Sequence, residues 1–129
     1  MDHMQKYWTE ELEWIRKGVN KIDGFITTIS PHYMRDRYGN DDYPDRVFDE
    51  LDILWAIAHG QIVEGYDSGT KGRNPEPERT IVGPAMSGEW AVVIVLMRSG
   101  KQFIVKTVFP ADRERYTKYI PDIEKKRTL

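Results

Sequence analysis

Cysteine is missing from all 129 residues. Its absence removes disulfides, thiolate metal sites and thiol nucleophiles together, and it fits a reducing compartment. Long apolar runs are missing too: the longest, Trp90 to Met97, has the length of a strand, not the ~20 residues of a membrane helix. A basic-then-apolar leader is absent, so a cytoplasmic location without membrane association is expected. Histidine is scarce. Of the three, His3 lies in Met1-Asp2-His3-Met4, where Met4 is an equally good start, and it carries no weight. There is no phosphate-cradling Gly-rich loop, no pair of metal-ligating histidines and no Gly-x-Ser-x-Gly elbow, so no cofactor and no metal are expected.

What is present suits one globular domain. Hydrophobic residues make up 40% and charged residues 31%, and four Trp, seven Tyr and four Phe offer enough apolar area for one sizeable core. The net charge of −2 hides an asymmetry: residues 1–97 hold 10 basic and 17 acidic side chains, residues 98–129 hold 9 and 4. A basic C-terminal segment attracts phosphate, while an acidic remainder argues against broad nonspecific nucleic-acid binding. A solvated helix and tail would account for the same charges without a ligand.

Hydrophobic spacing organises the chain. Trp8, Leu12, Ile15 and Val19 recur at intervals of three and four, which predicts a helix from a Thr9 N-cap to about residue 21, stopped by Gly24. Phe25 to Ile29 reads as a strand or extended lead-in. Ser30-Pro31 signals a helix over 31–38, and Val47, Phe48, Leu51, Leu54, Trp55 and Ala58 predict a stronger one over 45–59, with Gly60 past its end. From Gln61 the period becomes strand-like: 61–66, 79–82, 89–98 and 101–109, the last two joined by a two-residue Ser99-Gly100 hairpin. Strand 89–98 is apolar on both sides, so both sheet faces need cover. Helices cover one. The other needs the terminal helix, expected over 111–120, a protein partner or a second copy.

The expected architecture is therefore α+β: N-terminal helices on a four-stranded antiparallel meander, closed by a C-terminal helix. Residues 1–24 form a helical extension, 25–120 the core and 121–129 a loose basic tail.

Several groups invite chemistry. The acids between Asp36 and Asp52 crowd around a helix N-terminus, where they are favourable without a metal. His59 precedes Gly60 at a helix C-terminus, where the dipole suits an imidazolium. His32 is different, because Arg35 and Arg37 stand near it in sequence. Cleavage of RNA without a metal needs a base for the 2′-hydroxyl, cations for the phosphate and an acid for the leaving 5′-oxygen. Neighbouring arginines would lower the His32 pKa and favour the neutral base. A surface helix whose histidine contacts its own loop is the competing reading. On the last strand, alternation puts Thr107 on one face with Phe103, Val105 and Phe109, and Lys106 on the other with Ile104 and Val108. Arg113 follows in the basic helix.

The order of motifs carries a resemblance. Ile29-Ser30-Pro31-His32-Tyr33-Met34-Arg35-Asp36-Arg37, then Gly60-Gln61-Ile62-Val63-Glu64, the strands Arg79 to Gly83 and Ala91 to Leu96, and Val105-Lys106-Thr107-Val108-Phe109-Pro110 resemble a bacterial domain of unknown function over about residues 29–110. That domain is similar to the RelE- and BrnT-type toxin ribonucleases. The resemblance implies a RelE/barnase-like fold and a site of His32, an arginine and Thr107. The pattern's arginine falls four residues after the histidine, where this chain has Asp36 flanked by Arg35 and Arg37. The resulting expectation is a metal-independent endoribonuclease with His32, Arg35, Arg37 and Thr107 as catalytic residues. Lys106 and Arg113 would bind the substrate, and an antitoxin would be a partner over an apolar sheet face. The alternatives are a non-catalytic protein-binding module and, third, an immunity or antitoxin-like protein suggested by the acidic stretch 36–52.

Overall fold

The computed structural model describes residues 3–31, 48–66, 76–99 and 101–127. A 3-10 turn, His3–Tyr7, runs directly into helix α1, Trp8–Val19, so Tyr7 and not Thr9 holds the N-cap position. Glu10 and Glu11 lie in its first turn and Arg16 and Lys17 in its last, as the helix dipole favours. The chain leaves α1 through Lys21 and Asp23, both with φ near 56°, before reaching Gly24. Helix α2, Glu50–His59, starts five residues later than the apolar spacing predicts. Asp49 closes a capping box with Asp52, each carboxylate accepting the other residue's backbone N–H at 2.9 and 3.2 Å. That local pair fixes the start more firmly than periodicity can.

Among the described residues five strands, not four, form the sheet: β1 (Ile26–Ile29), β2 (Gln61–Tyr66), β3 (Glu78–Pro84), β4 (Trp90–Arg98) and β5 (Gln102–Pro110), in the order β1-β5-β4-β3-β2. The last four are the expected antiparallel meander. β1 adds itself in parallel to β5, Ile26 opposite Gln102 and Ile29 opposite Val105. Four residues, Ile-Thr-Thr-Ile, are too few for periodicity to reveal this pairing. Arg98 pairs with Gln102, so residues 99–101 make a three-residue connection with Lys101 in the left-handed region at φ 64°. A three-residue loop classically ends on a residue in that region.

α1 and α2 lie on one face of the sheet. There Leu12, Ile15, Ile53, Ala56 and Ile57 pack against Ile81, Ala91, Val93, Val95, Phe103, Val105 and Val108. β3 and α2 come very close at Gly83 and Gly60, whose Cα atoms leave no room for side chains beneath the Ala56 carbonyl. The second face carries Val82, Val92, Ile94, Trp90 and Phe109. It is covered at one end by the chain itself, through α3 (Glu114–Thr117) and α4 (Ile120–Arg127) with Tyr116 and Ile123 buried. The expected terminal helix is thus two helices, and most of the expected loose tail is the second. Pro121 sits in the first turn of α4, where its missing N–H costs nothing.

Candidate functional site

β5 carries a bulge against β4. Thr107 stands opposite Ile94 and Val105 opposite Val95, which leaves Lys106 without a partner in register. The extra residue shifts the in–out alternation by one. Phe103, Val105 and Val108 therefore point to the α1–α2 core, while Thr107 shares the second face with Ile94 and Phe109. Strict alternation would have grouped Thr107 with Phe103 and Val105, and Lys106 with Val108. Both groupings are corrected by the bulge, which no periodic reading of the sequence can see.

The bulge opens onto a polar band that crosses the meander. On β2, Glu64 and Tyr66 lie opposite Thr80 and Glu78 of β3. Arg115 of α3 grips Glu64 with Nε to Oε2 and Nη2 to Oε1, both at 2.8 Å, and its Nη2 also donates to the Tyr66 hydroxyl at 2.7 Å. Lys106 Nζ reaches back to within 3.9 Å of Glu78 Oε1. Arg115 and Lys106 are each about half exposed, at 46% and 48% of their side chains. The Glu64 hydrogen bond keeps the Arg115 guanidinium charged far beyond any working pH. Burial, reinforced by Glu64, raises the Tyr66 phenol above its usual value despite Arg115, so it stays protonated.

Arg113 is exposed at the N-cap of α3, where its carbonyl accepts from the Tyr116 and Thr117 amides. His32, Arg35 and Arg37 lie outside the described residues. The chain leading to them is described as far as Pro31: just past the end of β1, the Ser30 amide donates to Val105 O at 2.8 Å. β1, which ends three residues before His32, thus runs beside the bulge bearing Lys106 and Thr107.

Glu64, Tyr66 and Arg115 were missed by sequence reasoning. Their only signal was the acid of Gly60-Gln61-Ile62-Val63-Glu64 and the basic character of the last helix, and neither says that they meet. His59 also differs from expectation. Arg16 already caps the C-terminal end of α2, donating to Ile57 O and Gly60 O at 2.9 Å each. Burial first, then the charges of Arg127 and Arg16, lower the His59 pKa and oppose the imidazolium that the helix dipole would favour. Among the described residues no group of three or more metal-ligating side chains converges, and no helix is long and apolar enough to cross a membrane.

Comparison with known families places residues 42–110, just over half of the chain, in the family described as Domain of unknown function (DUF4258). The chain belongs to that family. The matched span runs through α2 and the meander and includes Glu64, Tyr66, Lys106 and Thr107, while His32, Arg35, Arg37, Arg113 and Arg115 fall outside it. No curated protein and no solved structure matches the chain.

Proposed function

We propose that the polar band on the second sheet face is the site of metal-independent RNA cleavage of the RelE-like toxin type. Lys106 and Arg115 hold the scissile phosphate, Thr107 orients it, and His32 exchanges protons with the 2′-hydroxyl or the leaving oxygen. Arg35, Arg37 and Arg113 supply further phosphate contacts. The observation that carries this reading is the Ser30–Val105 hydrogen bond beside the β5 bulge. It brings the chain that leads to a histidine alongside an exposed lysine and a hydroxyl, and bulges commonly re-aim side chains at such sites. The Arg115 fork onto Glu64 uses Nε and Nη2, which leaves Nη1 outside it. A phosphate has oxygens for that group and for the Lys106 ammonium together. The test is cleavage of single-stranded RNA by the full chain in excess EDTA, beside His32→Ala and Lys106→Ala. Loss of cleavage in both variants is expected. Wild-type inactivity, or activity indifferent to both substitutions, ends the reading.

A second reading, a non-catalytic protein-binding module, draws on another surface. Leu51 and Trp55, one turn apart on the outer side of α2, are 57% and 38% exposed, and Met86 is 51% exposed in the turn tethered to α2 by the Ser87 amide on Asp52. An antitoxin or a second copy would cover such a face. Concentration-dependent self-association or capture of a partner, lost in Trp55→Glu and unaffected by His32→Ala, distinguishes this reading. The third, immunity-like reading has less to draw on: of the acids in 36–52, Asp49 and Asp52 are committed to capping α2.

A further inference from the structure

β2 is the last strand of the sheet, so one of its long edges has no neighbouring strand. A cleft of about 330 Å³ opens at that edge, and its floor is three consecutive residues, Gln61, Ile62 and Val63. The Ile62 side chain lies in the α1–α2 core, while that of Val63 packs against the second-face cluster. With these side chains turned to opposite faces, the cleft meets the edge of the strand and its backbone. Among the described residues no backbone group outside β3 bonds to residues 61–65. Val63 is the extra residue of a bulge and has no partner in the β3 register either. A row of unpaired main-chain donors and acceptors is a template for one more strand.

Walls stand on both sides of that floor. Gln5 and Thr9, from the 3-10 turn and the start of α1, form one, and Asp122 and Lys126 of α4 belong to the other. An edge held between two walls admits a single extended chain, whereas the β2 edge of a second copy is held between the same walls and cannot reach it. The bulge acts in the same direction, because bulged edges pair poorly with another sheet. The α4 wall defines the charge of the guest. Asp122 and Lys126 are one turn apart, about 6 Å between Cβ atoms, and neither makes an ion pair among the described residues. Alternate residues of a strand share a side at a spacing of roughly 6.8 Å. We propose that the β2 edge binds an extended peptide segment of a partner protein as an added strand, with a basic and an acidic side chain two residues apart facing Asp122 and Lys126. This does not rest on the cleavage reading, because binding is measured without RNA.

Calorimetric titration and amide hydrogen exchange of the full chain with the capped heptapeptide Thr-Val-Lys-Val-Glu-Val-Thr test it. Saturable binding is expected, with exchange slowed at residues 61–65. Two further peptides keep every side chain and carry N-methyl groups either on the three valines or on the lysine and glutamate. One pattern blocks the edge that meets β2 and should weaken binding about tenfold or more, the loss of one or two main-chain hydrogen bonds; the other blocks the outer edge and should bind as the parent does. Lys126→Glu, at an exposed position, should weaken the parent peptide about threefold, and a peptide with lysine in place of its glutamate should restore the affinity. Absence of saturable binding, equal effects of the two methylation patterns, or slowed exchange elsewhere than at residues 61–65 overturns the proposal. A chain that sediments as a dimer with residues 61–65 already protected assigns the edge to a second copy and overturns it as well.

Discussion

Two of the arginine–glutamate forks among the described residues sit on opposite faces of the same sheet. Arg79 of β3 grips Glu11 of α1 at 2.8 and 3.1 Å with both side chains under 10% exposed, while Arg115 of α3 grips Glu64 of β2 at 2.8 Å in a half-open setting. The geometry is alike and the environment is not. In the first pair both charges are out of water, so each is indispensable to the other and neither is free to meet a ligand. In the second, solvent screens the attraction, little stability depends on it, and the guanidinium remains presentable. The α1–α2 face thus carries a committed ion pair, and the cleavage site proposed above lies at the polar end of the second face.

The largest expected effect breaks the buried fork. Arg79→Ala leaves Glu11 as an uncompensated buried charge and should cost about 3–5 kcal/mol in urea unfolding, whereas the double change Glu11→Leu with Arg79→Met should recover most of it. Next, Gly83→Ala would press a methyl against the Ala56 carbonyl and the Gly60 Cα, and should cost up to about 3 kcal/mol by the same measurement. On the other face the scale falls. Arg115→Ala should cost under about 1 kcal/mol of stability yet reduce RNA cleavage about 100-fold.

The smallest effect concerns His59. Its pKa in the folded chain is lowered from 6.5, mainly by burial and then by Arg127 and Arg16. The unfolded chain therefore binds that proton more readily, so His59 contributes stability above the unfolded value that is lost as pH falls through the folded one. His59→Gln should flatten part of the acid-side decline in Tm between about pH 7 and 5. An unchanged slope would assign the decline to other groups.

How much of this could be read from the sequence depends on whether the cause is local. The meander was legible because β2 to β5 alternate or run apolar over six to nine residues, and α1 because its apolar stripe recurs over three turns. β1 was ambiguous because its pairing with β5 is a contact across some 75 residues of chain, with no signal in the four residues themselves. The break between α3 and α4 was missed because Tyr116, Ile120 and Ile123 also fit one continuous helical stripe. The bulge hid in a run, Phe103 to Phe109, that reads equally well as regular strand; one unpaired residue re-aimed Lys106 and Thr107 relative to the core. Of the candidate site, Lys106 and Thr107 were legible as polar interruptions in an apolar strand. Glu64, Tyr66 and Arg115 were not, because their meeting depends on how α3 folds back over β2.

The most direct test of the two-face account is the chemistry of RNA ends left by the full chain in excess EDTA. Attack by the 2′-hydroxyl without a metal predicts 2′,3′-cyclic phosphate and 5′-hydroxyl ends, abolished by Lys106→Ala and retained in Lys6→Ala, an exposed lysine outside the polar band. Intact RNA, 5′-phosphate ends, or equal cleavage by the Lys106 variant would contradict the assignment of chemistry to the second face.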